Sequence, residues 1–221
     1  MTGRPAAGAL ARLLREAAAG RYPPADGGVT VLAQPSPRDC GVIGFTAHAV
    51  VFADIDPGWV TAQLPPGDLS APLSPSFLAA LCQATGRRAH SIDMLCVAEP
   101  LTARPPADQP AAEPTPDADL AHPRIVRART LREDVRAWRA DGGVVVLGRG
   151  VAGRLEVAIE VDPGYRGHGL GRLLASRARH LVSGDEPLWA QVAPANAASV
   201  RAFLAAGFAP VGGEALLLPV Q

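Results

Sequence analysis

The chain has 221 residues, 48% of them hydrophobic, which is enough for one or two domains with a real core and too apolar for a disordered tail. Its 21 cations, all arginine, balance 21 anions at a pI near 7.0, so no general basic field exists to attract nucleic acid. No apolar run approaches a membrane span and no signal peptide is visible, so the expected location is cytoplasmic, with no membrane partner.

In chain order, residues 1–24 are read as an N-terminal segment holding the amphipathic helix A-L-A-R-L-L-R-E-A-A-A-G, apolar through Leu10, Leu13, Leu14 and Ala17. Residues 25–102 are read as an α/β lobe. In it, G-V-T-V-L-A and G-V-I-G-F-T-A-H-A-V-V-F-A are predicted strands forming a hairpin across P-S-P-R-D. The run S-F-L-A-A-L-C-Q-A-T-G is a predicted helix ending at Gly86, and S-I-D-M-L-C-V-A a further strand. Asp54, Asp56, Asp68 and Asp93 could draw an amine, although turn and cap roles explain them equally well. Cys40, Cys82 and Cys96 are odd in number and widely spaced, and read as reduced thiols. Cys82, His90 and Cys96 lack zinc-type spacing, so no metal is expected.

Residues 103–121 are rich in Pro and Ala, acidic and without periodicity, and are read as a linker. In residues 122–221, Thr130 and Glu133 have capping-box spacing and predict a helix over L-R-E-D-V-R-A-W-R-A, with Gly142 and Gly143 beyond its end. Strands G-V-V-V-L-G and L-E-V-A-I-E-V follow.

Next comes V-D-P-G-Y-R-G-H-G-L-G-R, opening the amphipathic helix G-L-G-R-L-L-A-S-R-A-R-H-L-V. A strand, a glycine-rich turn and a helix N-terminus make an anion cradle. Gly167, Gly169 and Gly171 allow successive N–H groups to converge, and the helix dipole adds to the field. A dinucleotide fingerprint would need G-x-G-x-x-G, whereas these glycines fall as G-x-G-x-G. A phosphate loop of the G-x-x-x-x-G-K-[ST] type is excluded because the chain has no lysine. Downstream, strand L-W-A-Q-V-A leads to N-A-A-S-V-R-A-F-L-A-A-G-F. There Asn196 is a natural N-cap, Val200, Phe203 and Leu204 share a face, and Gly207 is placed to end the helix.

The spacing Arg166-x-x-Gly169-x-Gly171, followed in order by Asn196 and Gly207-Phe208, resembles the GNAT N-acetyltransferase superfamily, over residues 122–221. The resemblance implies the GNAT acyl-CoA N-acyltransferase fold, an α/β (α+β) architecture with a mixed central sheet and flanking helices. It implies acetyl-CoA as co-substrate and an amine-bearing acceptor. Backbone around Val161 would hydrogen-bond pantetheine and the thioester oxygen. Arg166, Gly167, His168, Gly169, Leu170, Gly171 and Arg172 would hold the phosphates, with Asn196 and Phe203 on the cofactor's other side.

Strand parity puts Leu155, Val157, Ile159 and Val161 on one face and Glu156, Ala158 and Glu160 on the other. Glu156 and Glu160 are the candidate bases for the acceptor amine; His168 is a weaker one. In the family a tyrosine stands where this chain has Phe203, and it usually protonates the leaving thiolate. Neither Tyr165 nor Tyr22 is an evident substitute. The expected function is therefore N-acetyl transfer from acetyl-CoA, with a non-catalytic acyl-CoA-binding or regulatory protein as the alternative. An echo between D-I-D-P-G-W (54–59) and E-V-D-P-G-Y (160–165) suggests a degenerate GNAT-like copy in the first half, and a homodimer is left open.

Overall fold

The computed structural model describes residues 8–103, 115–116 and 121–220, so most of the predicted linker and the first seven residues lie outside the described residues. The first elements are α1 (Ala9–Ala18), β1 (Val29–Leu32), β2 (Gly41–Phe45), β3 (His48–Phe52), α2 (Pro57–Gln63), α3 (Pro75–Thr85) and β4 (Arg87–Ala98). There follow β5 (Thr115–Pro116), α4 (Pro123–Leu131), β6 (Glu133–Ala140), β7 (Gly143–Arg149) and β8 (Leu155–Val161). The chain finishes with α5 (Leu170–His180), β9 (Leu188–Val192), α6 (Ala197–Ala205) and β10 (Ala209–Pro219). They fall into two compact units, residues 8–95 with 211–220, and residues 96–210. Parallel and antiparallel strand pairs occur together, which is the mixed α/β class the sequence predicts.

In the first unit the strand order is β1-β3-β2-β10-β4. Its core gathers Val42, Val51, Phe77, Leu81 and Leu217, with Trp59 packed against it. α1 buries Leu10, Leu14 and Ala17, and α3 ends at Gly86 in the left-handed conformation (φ 64°). The hairpin expected across residues 35–39 does not form. Instead residues 41–53 fold back on themselves through Thr46 and Ala47, and β1 lies parallel to β3. The two-residue turn at Thr46 and Ala47, with Ala47 at φ 53°, splits the apolar run, and β2 finds its second partner in β10. The four aspartates considered above are engaged locally. Asp54 accepts from the Gln34 N–H, Asp56 caps α2, Asp68 accepts from Ser70, and Asp93 accepts from the Ser91 hydroxyl.

In the second unit β9, β8, β7, β6 and β5 are neighbours in that order. The helix predicted over residues 131–140 is instead strand β6. Its residues alternate, and Val135 and Ala137 pack with Ile125 and Ala128 of α4. The hydroxyl of Thr130 donates to the Arg127 carbonyl (2.8 Å) and caps nothing. Asp141 and Gly142 make the two-residue turn into β7, with Gly142 at φ 80°. An Asp-Gly pair between alternating runs is a strong hairpin signal, and here it outweighs the capping-box spacing. The actual helix starts earlier, where His122 Nδ1 accepts the Arg124 N–H and Pro123 occupies the first helical position.

Candidate active site

Pairing registers decide which side chains share a face. Ala137 pairs with Val146 and Val146 with Ala158, so Glu156, Ala158 and Glu160 lie on the face covered by α4. Val157, Ile159 and Val161 lie on the other face, where α5 packs against β7 and β8. The predicted parity of β8 is therefore observed.

β8 pairs with β9 only over Leu155–Val157 with Leu188–Ala190, while its far edge still pairs with β7 as far as Val161. From Ala158 to Val161 the backbone edge on the β9 side thus has no ladder partner among the described residues. Unpaired strand edges seek hydrogen bonds, and this one borders an open cleft of about 760 Å³. The cleft is walled by Ile159, Glu160 and Val161 on one side and by Asn196, Ala202 and Phe203 on the other.

The turn from β8 to α5 supplies the third wall. Gly167 (φ 82°) and Gly169 (φ 84°) both adopt the left-handed conformation, and Gly169 is the N-cap of α5 with no side chain capping it. The first-turn N–H groups of α5 are therefore left for an anion. A methyl group on Gly169 would meet nothing within 4 Å, so the constraint there is backbone conformation and not space. Gly171 is different: a Cβ there would touch Ala202 and Val161 at 3.6 and 3.7 Å, an ordinary packing distance. Arg166 lines the cleft and its Nε donates to the Val161 carbonyl (3.0 Å), tying the turn to the end of β8. Arg172 and Leu170 also line it, whereas His168 is exposed and is not among the lining residues.

Asn196 caps α6 as predicted, its Oδ1 accepting from the Ser199 N–H (3.1 Å), which leaves its amide N–H₂ to the cleft. Phe203 is buried and packs edge-on against Phe208, centroids 5.0 Å apart. Leu204, expected on the same buried face, is exposed. Tyr165 also lines the cleft, but its hydroxyl donates to Asp141 (3.1 Å) and its ring lies over Gly142, so its proton is committed to the hairpin turn. That hydrogen bond raises the phenol's pKa.

The two candidate bases part company. Glu156 is fully buried between Arg132 (2.7 Å) and Arg154 (2.8 Å), and Arg154 stacks on Trp189. Burial pushes its carboxyl pKa up, but Arg154 and Arg132 together outweigh burial and hold it below the ordinary value. It does not line the cleft. Glu160 does, half-buried and paired with Arg124 (3.0 Å). α4 explains both pairs. Arg124 lies in the first turn of α4 and Arg132 directly follows its last residue, so the two arginines stand at opposite ends of the helix. Each end of the helix region thus delivers one arginine to one glutamate.

Arg124, Tyr165 and Arg201 were not singled out by sequence reasoning as cleft residues. The His-Pro pair at 122–123 marked the start of the helix that carries Arg124, and Arg201 lies on the helix that Asn196 caps. Among the described residues no cluster suits a metal ion, and no helix is long and apolar enough to cross a membrane. Cys40 and Cys96 are buried, and burial pushes their thiols up to about 11.

Residues 127–208 match the family model described as Acetyltransferase (GNAT) family. Among solved structures, a GCN5-related N-acetyltransferase from Kribbella flavida is similar at 23% identity, with a TM-score of 0.43 over 65% of this chain and 64% of that one. A GNAT-family protein from Novosphingobium aromaticivorans DSM 12444 is similar at 21% identity and TM-score 0.37, over 62% and 68%. No curated protein matches the chain. The matched segment, residues 127–208, holds the glycine turn, the open end of β8, Asn196 and Phe203, so the resemblance to the GNAT acetyltransferase family falls on the cleft itself.

Proposed function

We propose that this protein is an N-acetyltransferase that moves an acetyl group from acetyl-CoA to the amine of an acceptor. One observation carries the reading: the uncapped N-terminus of α5, with its left-handed glycines, opens on the same cleft as the unpaired end of β8. The first feature suits a pyrophosphate and the second an amide-bearing chain ending in a carbonyl. Acetyl-CoA, when bound, supplies the activated acyl group. The N–H groups that open α5 and the Arg166 and Arg172 side chains bind the phosphates. The N–H groups on the edge from Ala158 to Val161 that has no ladder partner orient the pantetheine and polarise the carbonyl. Asn196 offers its amide from the α6 side.

Glu160 is the base. It takes one proton from the acceptor's ammonium, and the neutral amine attacks. The N–C bond forms as the C–S bond breaks. The second nitrogen proton passes to the departing thiolate, directly or through water, which removes the need for a phenol at position 203. Glu160→Gln is expected to lower kcat/KM about 10²- to 10³-fold near neutral pH, with partial recovery as the pH approaches the acceptor's own pKa. A flat loss at every pH would show that Glu160 is not the base. Phe203→Tyr is expected to raise kcat by about tenfold or less, because a thiolate already leaves readily. A large gain would show that thiolate protonation limits turnover.

A non-catalytic acyl-CoA-binding protein is favoured by one feature, the missing hydroxyl at Phe203. Calorimetry with acetyl-CoA, followed by an amine screen for released CoA, separates the two readings: binding without turnover would establish the second.

A further inference from the structure

Of the four arginines lining the cleft, Arg166, Arg172 and Arg201 belong to the glycine turn, α5 and α6. Arg124 stands apart. It projects from the start of α4 and meets Glu160 on the face of β8 opposite the one on which α5 packs. Glu160 is the one carboxylate among the described cleft residues. The ion pair uses Arg124 Nε and Glu160 Oε2, and both side chains are about one-third exposed (33% and 35%). Among the described residues the terminal Nη groups of Arg124 and Glu160 Oε1 make no further hydrogen bond.

We infer that the acceptor is a small amino acid, carrying a carboxylate beside the amine that is acylated. This rests on the acetyltransferase reading and assigns its substrate class. A half-buried, neutral Arg–Glu pair that lines an open cleft is complementary to a zwitterion. The acceptor's carboxylate takes the free Nη groups of Arg124 in a bidentate contact, and its ammonium reaches Glu160. One ion pair is exchanged for two, with no charge left unmatched. A polyamine or aminoglycoside would bring several cations to a wall with one carboxylate and an arginine beside it, which electrostatics opposes. A peptide N-terminus or simple amine would satisfy Glu160 but bring no carboxylate to the Nη groups of Arg124. The base and the carboxylate anchor are thus neighbours, so anchoring the acceptor also places its amine at the residue that deprotonates it.

The test measures CoA release from acetyl-CoA with the common α-amino acids, their C-terminal amides and spermidine, using the full chain and an Arg124→Gln variant. At least one amino acid is expected to be acetylated about 10- to 100-fold more efficiently than its own amide, the loss of one charge-assisted contact. In Arg124→Gln that preference collapses toward unity through a raised KM for the amino acid. Calorimetric binding of acetyl-CoA to the variant verifies that it is folded. Equal use of amides, preference for spermidine, or an unaltered preference in the variant would overturn the inference while leaving the acetyltransferase reading intact. Acetyl-CoA binding with no CoA release from any member of this panel would overturn the inference, and silence in the wider amine screen as well would overturn both. An Arg124→Lys variant that keeps the preference in part supports the role of the charge.

Discussion

Gly169→Glu is expected to weaken acetyl-CoA binding by roughly two orders of magnitude or more in calorimetry, without unfolding the protein. Two effects act together. A non-glycine residue at φ 84° is strained by about 1–2 kcal/mol, although no atom lies within 4 Å to clash with its Cβ. The larger effect is electrostatic. A carboxylate at the N-cap of α5 occupies the anion site with the protein's own side chain and repels the incoming phosphates. The same charge favours the helix, so fold and binding are separable. Gly169→Ala carries the strain alone and is expected to lose far less affinity. Unchanged binding by the glutamate variant would mean that the pyrophosphate does not sit on this turn, and the functional reading would fall with it.

The second large effect concerns stability. Glu156→Ala removes a carboxylate shared by two buried arginines, Arg132 and Arg154, whose side chains are 9% and 3% exposed. Breaking a buried ion-pair cluster by removing its carboxylate costs about 3–5 kcal/mol, so a fall in Tm of roughly 10 °C is expected in thermal unfolding. Gly150 leaves space for the carboxylate, and a Cβ there would overlap it. The pH dependence has a definite sign. The Glu156 carboxyl pKa is lowered in the folded state, so its stabilisation is fully present above the unfolded-state value. It is lost as the pH falls through the folded value. Wild type should therefore lose stability on acidification more steeply than Glu156→Ala. A mutant as stable as the parent would show that the arginines find other counter-charges. Because Glu156 does not line the cleft, acetyl-CoA affinity at low temperature should survive the substitution.

The same side-chain type on the same strand thus has two roles four residues apart, and strand periodicity does not distinguish them. Parity correctly placed Glu156 and Glu160 on one face of β8, because the two-residue repeat is a local property of the backbone. What covers that face is a tertiary matter. Arg132, just beyond α4, encloses Glu156 together with Arg154 and Gly150, while Arg124 of α4 meets Glu160 at the cleft. The sequence reading missed this helix and placed one over residues 131–140 instead. There, periodicity suited either structure, and pairing with β7 through the Asp141-Gly142 turn selected the strand. The same limit explains the misplaced first hairpin, since the partners of residues 41–53 include β10, which lies far away in sequence.

By itself the sequence determined whatever depends on a few consecutive residues. That includes the strand, glycine turn and helix start at 155–172, the Asn196 cap, the Gly86 helix stop and the amphipathic α1. These follow from φ preferences, capping hydrogen bonds and periodicity, all short-range quantities. Only the tertiary structure decided the parallel pairing of β1 with β3, the addition of β10 beside β2 and the divergence of β8 from β9 that opens the cleft. It also decided the partners of the two glutamates. Each of these depends on which distant backbone edges and charges meet, and that is settled by satisfying buried polar groups across the whole fold.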